Sequence, residues 1–189
     1  PLAWEGDEFA MRAAVIADAS AWPDHQVMDP SEDKRRYSSV LPSSPSWLNS
    51  NSKLTSPSAW TAAEMDGQWI EFDLDQVTSV SGVALRTKWR SDSLVTKIRL
   101  EVKQSKDDAF IKVQGSEMKT GCVPYDDSTR VLMLPHPVRA RFVRIIVLDY
   151  EKKVSMRAGL VVAADNFDPD TTYTPPLNAA AKGKPPATL

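Results

Sequence analysis

A proline-free block of alternating apolar and polar residues is the strongest constraint on the fold of this chain. None of the 14 prolines falls between residues 58 and 123. Proline lacks a backbone N–H and is excluded from central strands, so this block is where we expect a sheet. Within it, GQWIEFDL (67–74) alternates Ile70, Phe72 and Leu74 with acidic residues. A period of two predicts a strand with one buried and one solvated face.

Similar patterns along the chain predict an all-β fold. Further strands are expected at 78–88, 95–104, 131–134, 141–149 and 156–164. The first of these changes parity at Ser81 and Gly82, which predicts a β-bulge. The segment 141–149 is almost continuously apolar, as in a central strand covered on both faces. Only residues 7–16 have any helical character, so the pattern predicts an antiparallel sandwich or barrel.

Charge and cysteine content exclude several classes of protein. The 189 residues carry 23 basic and 25 acidic side chains, a net charge of −2, which argues against a dedicated nucleic-acid-binding domain. The single cysteine, Cys122, excludes an internal disulfide. No apolar run approaches the roughly 18 residues that a membrane span requires. We therefore expect a charge-balanced domain that folds without disulfides.

Proline and serine content divides the chain. Residues 38–58 hold 9 Ser and 3 Pro among 21, which predicts a long loop, packed through Trp47, Leu48 and Leu54. The last residues are rich in Pro, Thr and Ala without apolar periodicity, which is typical of a linker to another part of a larger protein. The expected division is an N-terminal extension at 1–7, a β-sandwich at 8–166 and a linker or disordered tail at 167–189.

Three segments, taken in order, carry a resemblance to a known family. In 58–88 a Trp is followed by Gln-Trp, a strand ending in Asp-Leu, and a strand with an early Gly. Residues 95–113 combine a strand, an acidic turn and a strand, and 137–162 run from FVRII through a polar loop to SMR. Together with AVIADASAW (14–22) as an opening strand, the set resembles the discoidin domain, also called the coagulation factor five/eight C-type domain.

The resemblance implies an eight-stranded, antiparallel, jelly-roll-like β-sandwich whose loops at one end bind ligands. Domains of this family bind carbohydrates, phospholipid head groups, collagen or protein tails, and are not enzymes. This chain lacks the disulfide that usually joins the domain ends in secreted animal members. It also has LTSPSAW (54–60) where galactose-binding relatives often have an Asp-Gly calcium loop. A structural calcium is therefore not favoured, and no other cofactor or metal is expected.

The resemblance also implies a set of ligand-binding residues. Trp60 corresponds to the Trp that floors the pocket, Trp89 and Arg90 lie in the projecting loop, and Tyr150 with Lys152 lies in the closing loop. An aromatic ring can stack on the C–H face of a sugar, and a cation can donate to hydroxyl, carboxylate or phosphate groups. Each has a structural alternative: Trp60 is equally expected in the core, and Trp89 folded over the sheet edge.

Other candidates come from the divergent loops and the chain end. His25 and Trp47 are further ligand-binding candidates, since a His both donates and accepts near neutral pH. Arg157 is expected to tie loops together through backbone carbonyls, and Trp69 is expected in the core. The carboxylates of DNFDPD (165–170) are a weak cation site, because the segment lacks the Gly and Glu of a calcium loop.

No catalytic motif is present, because the chain lacks a nucleophile elbow, a phosphate-binding Gly loop and a paired-His metal motif. We expect a noncatalytic binding or adhesion module of a larger protein, recognising a carbohydrate or an anionic phospholipid head group. The alternatives are a protein docking module of an intracellular complex and an accessory domain of an enzyme. The family favours a secreted or cell-surface location, whereas the missing disulfide fits a cytoplasmic one.

Overall fold

The computed structural model describes residues 24–163, and this part of the chain is almost entirely β-structure. The strands are β1 (His25–Met28), β2 (Arg35–Tyr37), β3 (Trp60–Thr61), β4 (Trp69–Arg86), β5 (Leu94–Lys103), β6 (Ile111–Lys112), β7 (Met118–Lys119), β8 (Arg130–Glu151) and β9 (Ser155–Ala163), with 3₁₀-helices at Glu32–Lys34 and Ser46–Asn49. Every pairing is antiparallel, which confirms the predicted fold class. The opening strand expected at 14–22 and the helical pattern near 7–16 lie outside the described residues.

Two long strands hold the sheet together. β4 pairs with β8 from Trp69 opposite Ile146 to Leu85 opposite Arg130, in the strand order β1-β9-β4-β8-β5-β6. The first half of β4 lies between β2 and β8, and its second half lies between β8 and β9. The sheet therefore curls into two layers that share β4 and β8. Among residues 24–163, no helix is long and apolar enough to cross a membrane.

Two pairs of predicted strands are single strands in the structure. The segments expected at 131–134 and 141–149 both belong to β8, although Pro135 and Pro137 lie between them. These prolines are exposed and fall where the register with β4 shifts, between Met133 opposite Gly82 and Val138 opposite Val80. No ladder hydrogen bond is required at such a bulge, so proline does not interrupt the strand. The segments expected at 67–74 and 78–88 likewise belong to a single strand, β4.

The buried faces of the strands follow the predicted alternation. Ile70 and Phe72 on β4 and Ile98 and Leu100 on β5 are all 0% exposed and lie in one core between the layers. The prediction that Trp69 is a core residue is wrong, because its side chain lies half-buried on the outer face of the sheet. There the guanidinium carbon of Arg144 lies 4.1 Å from the centre of the indole ring.

The predicted bulge at Ser81-Gly82 is confirmed, since β4 shifts register there against both β8 and β9. A Cβ at Gly82 would lie 2.2 Å from the carbonyl oxygen of Leu132. Only a residue without a side chain allows the backbones of β4 and β8 to approach this closely.

Gly82→Ala is therefore expected to lower the free energy of unfolding by about 3 kcal/mol, since the clash is with backbone that cannot rotate away. Urea denaturation followed by Trp fluorescence measures the loss. Gln76→Ala, at an exposed position of the same strand, is the matched control and is expected to change stability by less than about 0.5 kcal/mol. Equal stability of the two variants would show that β4 and β8 do not approach closely at Gly82.

Candidate functional site

Several loops meet at one end of the sandwich. β5 begins at Leu94 opposite Glu151, where β8 ends, and Arg86 at the end of β4 lies opposite Arg157 near the start of β9. β8 begins at Arg130, opposite Leu85. The loops 87–93, 120–129 and 152–154 must therefore be neighbours, because they join strand ends at one edge.

A buried arginine holds these loops together. Arg157 is 3% exposed, and its Nε and Nη2 donate to the carbonyl oxygen of Thr87 at 3.1 and 2.6 Å. Its Nη1 donates to the carbonyl of Ser56 at 3.0 Å, and its Nη2 also forms an ion pair with Asp127. Asp127 pairs in turn with Arg86 at 2.6 Å. The predicted structural role of Arg157 is confirmed.

The loop 87–93 presents an aromatic ring to solvent. Trp89 is 55% exposed, so it does not fold over the sheet edge. Arg90 has a left-handed backbone with φ of 53°, and its guanidinium carbon lies 4.4 Å from the centre of the Trp89 ring. This cation–π contact covers part of the ring and restricts its rotamers.

Asp92 connects this loop to both of its neighbours. The Nζ of Lys152 donates to the carboxylate of Asp92, which holds the pKa of Asp92 below its usual range and raises the pKa of Lys152. The backbone N–H of Tyr125 donates to the carbonyl of Ser91 at 2.9 Å, and its hydroxyl reaches Asp92 at 3.5 Å. Asp92 therefore fixes where the cation and the phenol lie.

Sequence reasoning missed Tyr125 and Asp92. Tyr125 is 67% exposed and has a positive φ of 62°. Its position after a proline, in a loop without apolar periodicity, is the signal that would have identified it as an exposed aromatic residue. Asp92 carried no comparable signal, since its partners are distant in sequence.

The loop containing Trp47 reaches the same end through Lys88. The Nζ of Lys88 donates to Oδ1 of Asn49 at 3.4 Å, and Trp47, in the same 3₁₀-helix as Asn49, is 48% exposed. The predicted packing of Trp47 is therefore wrong, whereas Leu54 is fully buried as expected. Burial and the nearby charge of Lys153 lower the pKa of Lys88. The side chains that these loops place at this end of the sandwich form one surface, which we call the loop-end surface. Its residues are Trp47, Lys88, Trp89, Arg90, Asp92, Tyr125 and Lys152.

Two of the predicted binding residues point into the protein. Trp60 is 0% exposed, its Nε1 donates to the carbonyl of Ser39 at 2.7 Å, and its ring stacks on Tyr37 with centroids 5.7 Å apart. A fully buried ring offers no surface to a ligand, so Trp60 has the core role that the sequence left as its alternative. Tyr150 is half-buried and packs against the main core.

His25 lies at the opposite end of the sandwich. It begins β1 and pairs with Ala163, the last residue of β9. Ser155 begins β9 at the loop end, eight residues away and about 26 Å distant at the usual strand rise. The structure therefore does not bring His25 together with Trp89 and Lys152.

Residues 24–163 contain no cluster of three or more His, Cys, Asp or Glu side chains placed to hold a metal ion. The carboxylates of 165–170 lie outside the described residues. Cys122 is half-buried, and burial raises the pKa of its thiol.

Comparison with known proteins identifies the family. A family model described as the F5/8 type C domain matches residues 20–160. This chain belongs to the F5/8 type C domain family. The match confirms the resemblance to discoidin domains and includes the loop before the first motif.

Individual relatives agree with this family. Retinoschisin of Takifugu rubripes is 26% identical over 125 residues, which cover 62% of this chain and 44% of retinoschisin, so the chain spans less than half of that relative. Discoidin II of Dictyostelium discoideum has a TM-score of 0.51 at 18% identity, covering 68% of this chain and 54% of discoidin II. A family 32 CBM of NanJ from C. perfringens, solved in complex with galactose, has a TM-score of 0.54 at 11% identity, covering 72% and 98%. The structures of discoidin II and of the NanJ module share the fold of this F5/8 type C domain.

Arg157→Met is expected to lower the free energy of unfolding by about 3 kcal/mol or more. The substitution leaves buried carbonyls and Asp127 without their donor, which is costly in a buried site. Thermal and urea unfolding measure the change. The control is Arg90→Ala, which removes an exposed arginine of the neighbouring loop and is expected to change stability by less than about 0.5 kcal/mol. A small effect of Arg157→Met would show that the loops are held by other contacts.

Proposed function

We propose that this F5/8 type C domain is a noncatalytic carbohydrate-binding module that holds its ligand on the loop-end surface. The observation that carries the proposal is the exposed indole of Trp89, supported on one side by Arg90. Large aromatic side chains are usually buried, so an exposed ring with a fixed orientation favours a contact surface.

The groups around Trp89 supply the contacts that a sugar requires. The C–H face of a pyranose stacks on the part of the indole that Arg90 leaves open. The guanidinium of Arg90 and the hydroxyl of Tyr125 donate to sugar oxygens, and the carboxylate of Asp92 accepts from sugar hydroxyls. Because Asp92 already holds Lys152 and Tyr125 in place, little side-chain entropy is lost on binding.

The comparisons support a saccharide as the ligand class. The C. perfringens module of the same fold was solved with galactose bound. Family membership supports a binding module rather than a catalyst, and the proposed contacts require no bond to be broken.

An anionic lipid surface is the second candidate. Leu48 and Val123 are 37% and 45% exposed, and they accompany the tryptophans at the loop end. Lys153 lies close enough to Lys88 for its charge, together with burial, to lower the pKa of Lys88. Exposed apolar side chains beside clustered cations are typical of a membrane-binding surface. The two alternative functions expected from the sequence, protein docking and a role as an accessory domain of an enzyme, stay predictions.

A glycan array run beside pelleting with phosphatidylserine vesicles tests the proposal. Binding to a glycan and not to the vesicles is the expected result. Binding to the vesicles alone would replace the proposal with the lipid candidate. Absence of binding to either, with a folded sample, would overturn both.

Trp89→Ala is expected to weaken glycan binding about tenfold or more, which corresponds to about 1.4 kcal/mol of lost stacking. Titration calorimetry with the best array ligand measures the affinity, and thermal unfolding is expected to stay within about 1 °C of the native chain because the ring is exposed. Ile111→Ala is the matched control, since Ile111 is 68% exposed and lies on β6. Unchanged affinity in Trp89→Ala would exclude the loop-end surface as the binding site.

A further inference from the structure

A cleft on the outer face of the sheet lies far from the loop-end surface. It has a volume of about 260 Å³, and its cationic lining residues are Lys34, Arg36, Lys103 and Lys106. Lys103 is nine residues along β5 from Leu94, so the cleft lies about 30 Å from the loop end at the usual strand rise. We call it the sheet-face cleft.

The carboxylates in the cleft are already occupied. Glu71 is paired with Arg144 at 2.6 Å, and Asp73 is paired with Arg141 at 2.9 Å. Asp33 accepts a hydrogen bond from the hydroxyl of Ser31. Glu71 and Asp73 are therefore neutralised by arginines that do not line the cleft, whereas Asp33 has only a hydroxyl donor.

Three of the four cations have no carboxylate partner within residues 24–163. Arg36 and Lys106 take part in no ion pair there, whereas Lys34 is paired with Asp75 at 2.6 Å. Lys103 donates to the carbonyl of Lys106 at 2.7 Å and also has no acidic partner. The positive charge of Arg36, Lys103 and Lys106 therefore has no acidic counterion among the described residues.

Aromatic rings hold one of these cations, Lys103, in place. The Nζ of Lys103 lies 5.0 Å from the centre of the Phe142 ring and 4.9 Å from that of Phe110. Phe142 is 5% exposed, so its ring is a fixed platform rather than a mobile side chain. A lysine fixed on aromatic rings keeps its charge at a defined position, as a specific anion site requires.

We propose that the sheet-face cleft is a second binding site, which takes the carboxylate or sulfate group of an acidic saccharide. The guanidinium of Arg36 matches a planar or tetrahedral oxyanion through paired N–H donors, and Lys103 and Lys106 add charge. The volume corresponds to about nine water molecules, more than a lone anionic group and below the range of about 300–1,000 Å³ for drug-sized ligands. The anion preference rests on the cleft itself, and the choice of a saccharide as carrier rests on the proposed function.

Titration of the isotope-labelled domain followed by NMR separates the two sites. The probes are a sulfated galactose disaccharide, its neutral counterpart and inorganic sulfate. We expect the sulfated disaccharide to shift the backbone amides of Arg36 and Lys106, the neutral disaccharide to leave them unshifted, and added NaCl to weaken the effect. Shifts at the cleft without shifts of the Trp89 indole would support the cleft and contradict the loop-end proposal.

The double variant Arg36→Gln with Lys106→Gln is expected to lower the affinity at the cleft about tenfold or more and to leave the Trp89 signals unchanged. Lys119→Gln, an exposed lysine on β7, is the matched control and is expected to bind like the native chain. Both substituted side chains are exposed, so the fold is expected to persist, and thermal unfolding checks this.

Three outcomes would overturn the proposal. The first is the absence of shifts at the cleft with the sulfated disaccharide at about 10 mM. The second is native affinity in the double variant. The third is equal affinity for inorganic sulfate and the sulfated disaccharide, which would show that the cleft holds a free anion and recognises no saccharide.

Discussion

Strands β4 and β8 run antiparallel along almost their full length, and each passes through both layers of the sandwich. Each layer is completed by the shorter strands that pair along these two. Close approach of the two backbones at Gly82 keeps the pair together where the register shifts. Together with the pairing of β5 with β8 and of β4 with β9, the pairing of β4 with β8 brings the loops 87–93, 120–129 and 152–154 to the same edge.

Buried arginines then fix the loops that the strands leave open. Loop carbonyls have no ladder partners, and the guanidinium of Arg157 satisfies those of Thr87 and Ser56 while pairing with Asp127. Arg35 has a similar role for the loop containing Ser52, because its Nη1 donates to the carbonyl oxygen of Ser52 at 3.0 Å. A guanidinium group carries five N–H donors in one rigid plane, so a single arginine can bind several segments of the chain. The exposed Trp89 is therefore carried by a loop whose anchor is buried.

Charge is distributed locally although the net charge is near zero. On the outer sheet face, neighbouring strands place Arg36 opposite Glu71, Glu71 opposite Arg144, and Arg144 opposite Glu101. The guanidinium of Arg144 lies 3.9 Å from the ring centre of Phe110, so it is held between aromatic rings as well as beside Glu71. These contacts pair the acidic side chains of the outer face with arginines. The cations without acidic partners remain around the sheet-face cleft, from Arg36 on β2 to Lys103 on β5.

The sequence by itself determined most of the long strands β4, β5, β8 and β9 with their buried faces, the bulge at Gly82 and the role of Arg157, because strand periodicity and family motifs are local patterns. It left Trp60 and Trp89 open between core and surface and placed Trp69 wrongly in the core, since all three lie next to polar residues. Only the tertiary structure buried Trp60, exposed Trp89 and brought Asp92 to Lys152, which lies 60 residues away in the sequence. A binding surface assembled from several loops depends on which strand ends meet, and that is settled by long-range pairing rather than by neighbouring residues.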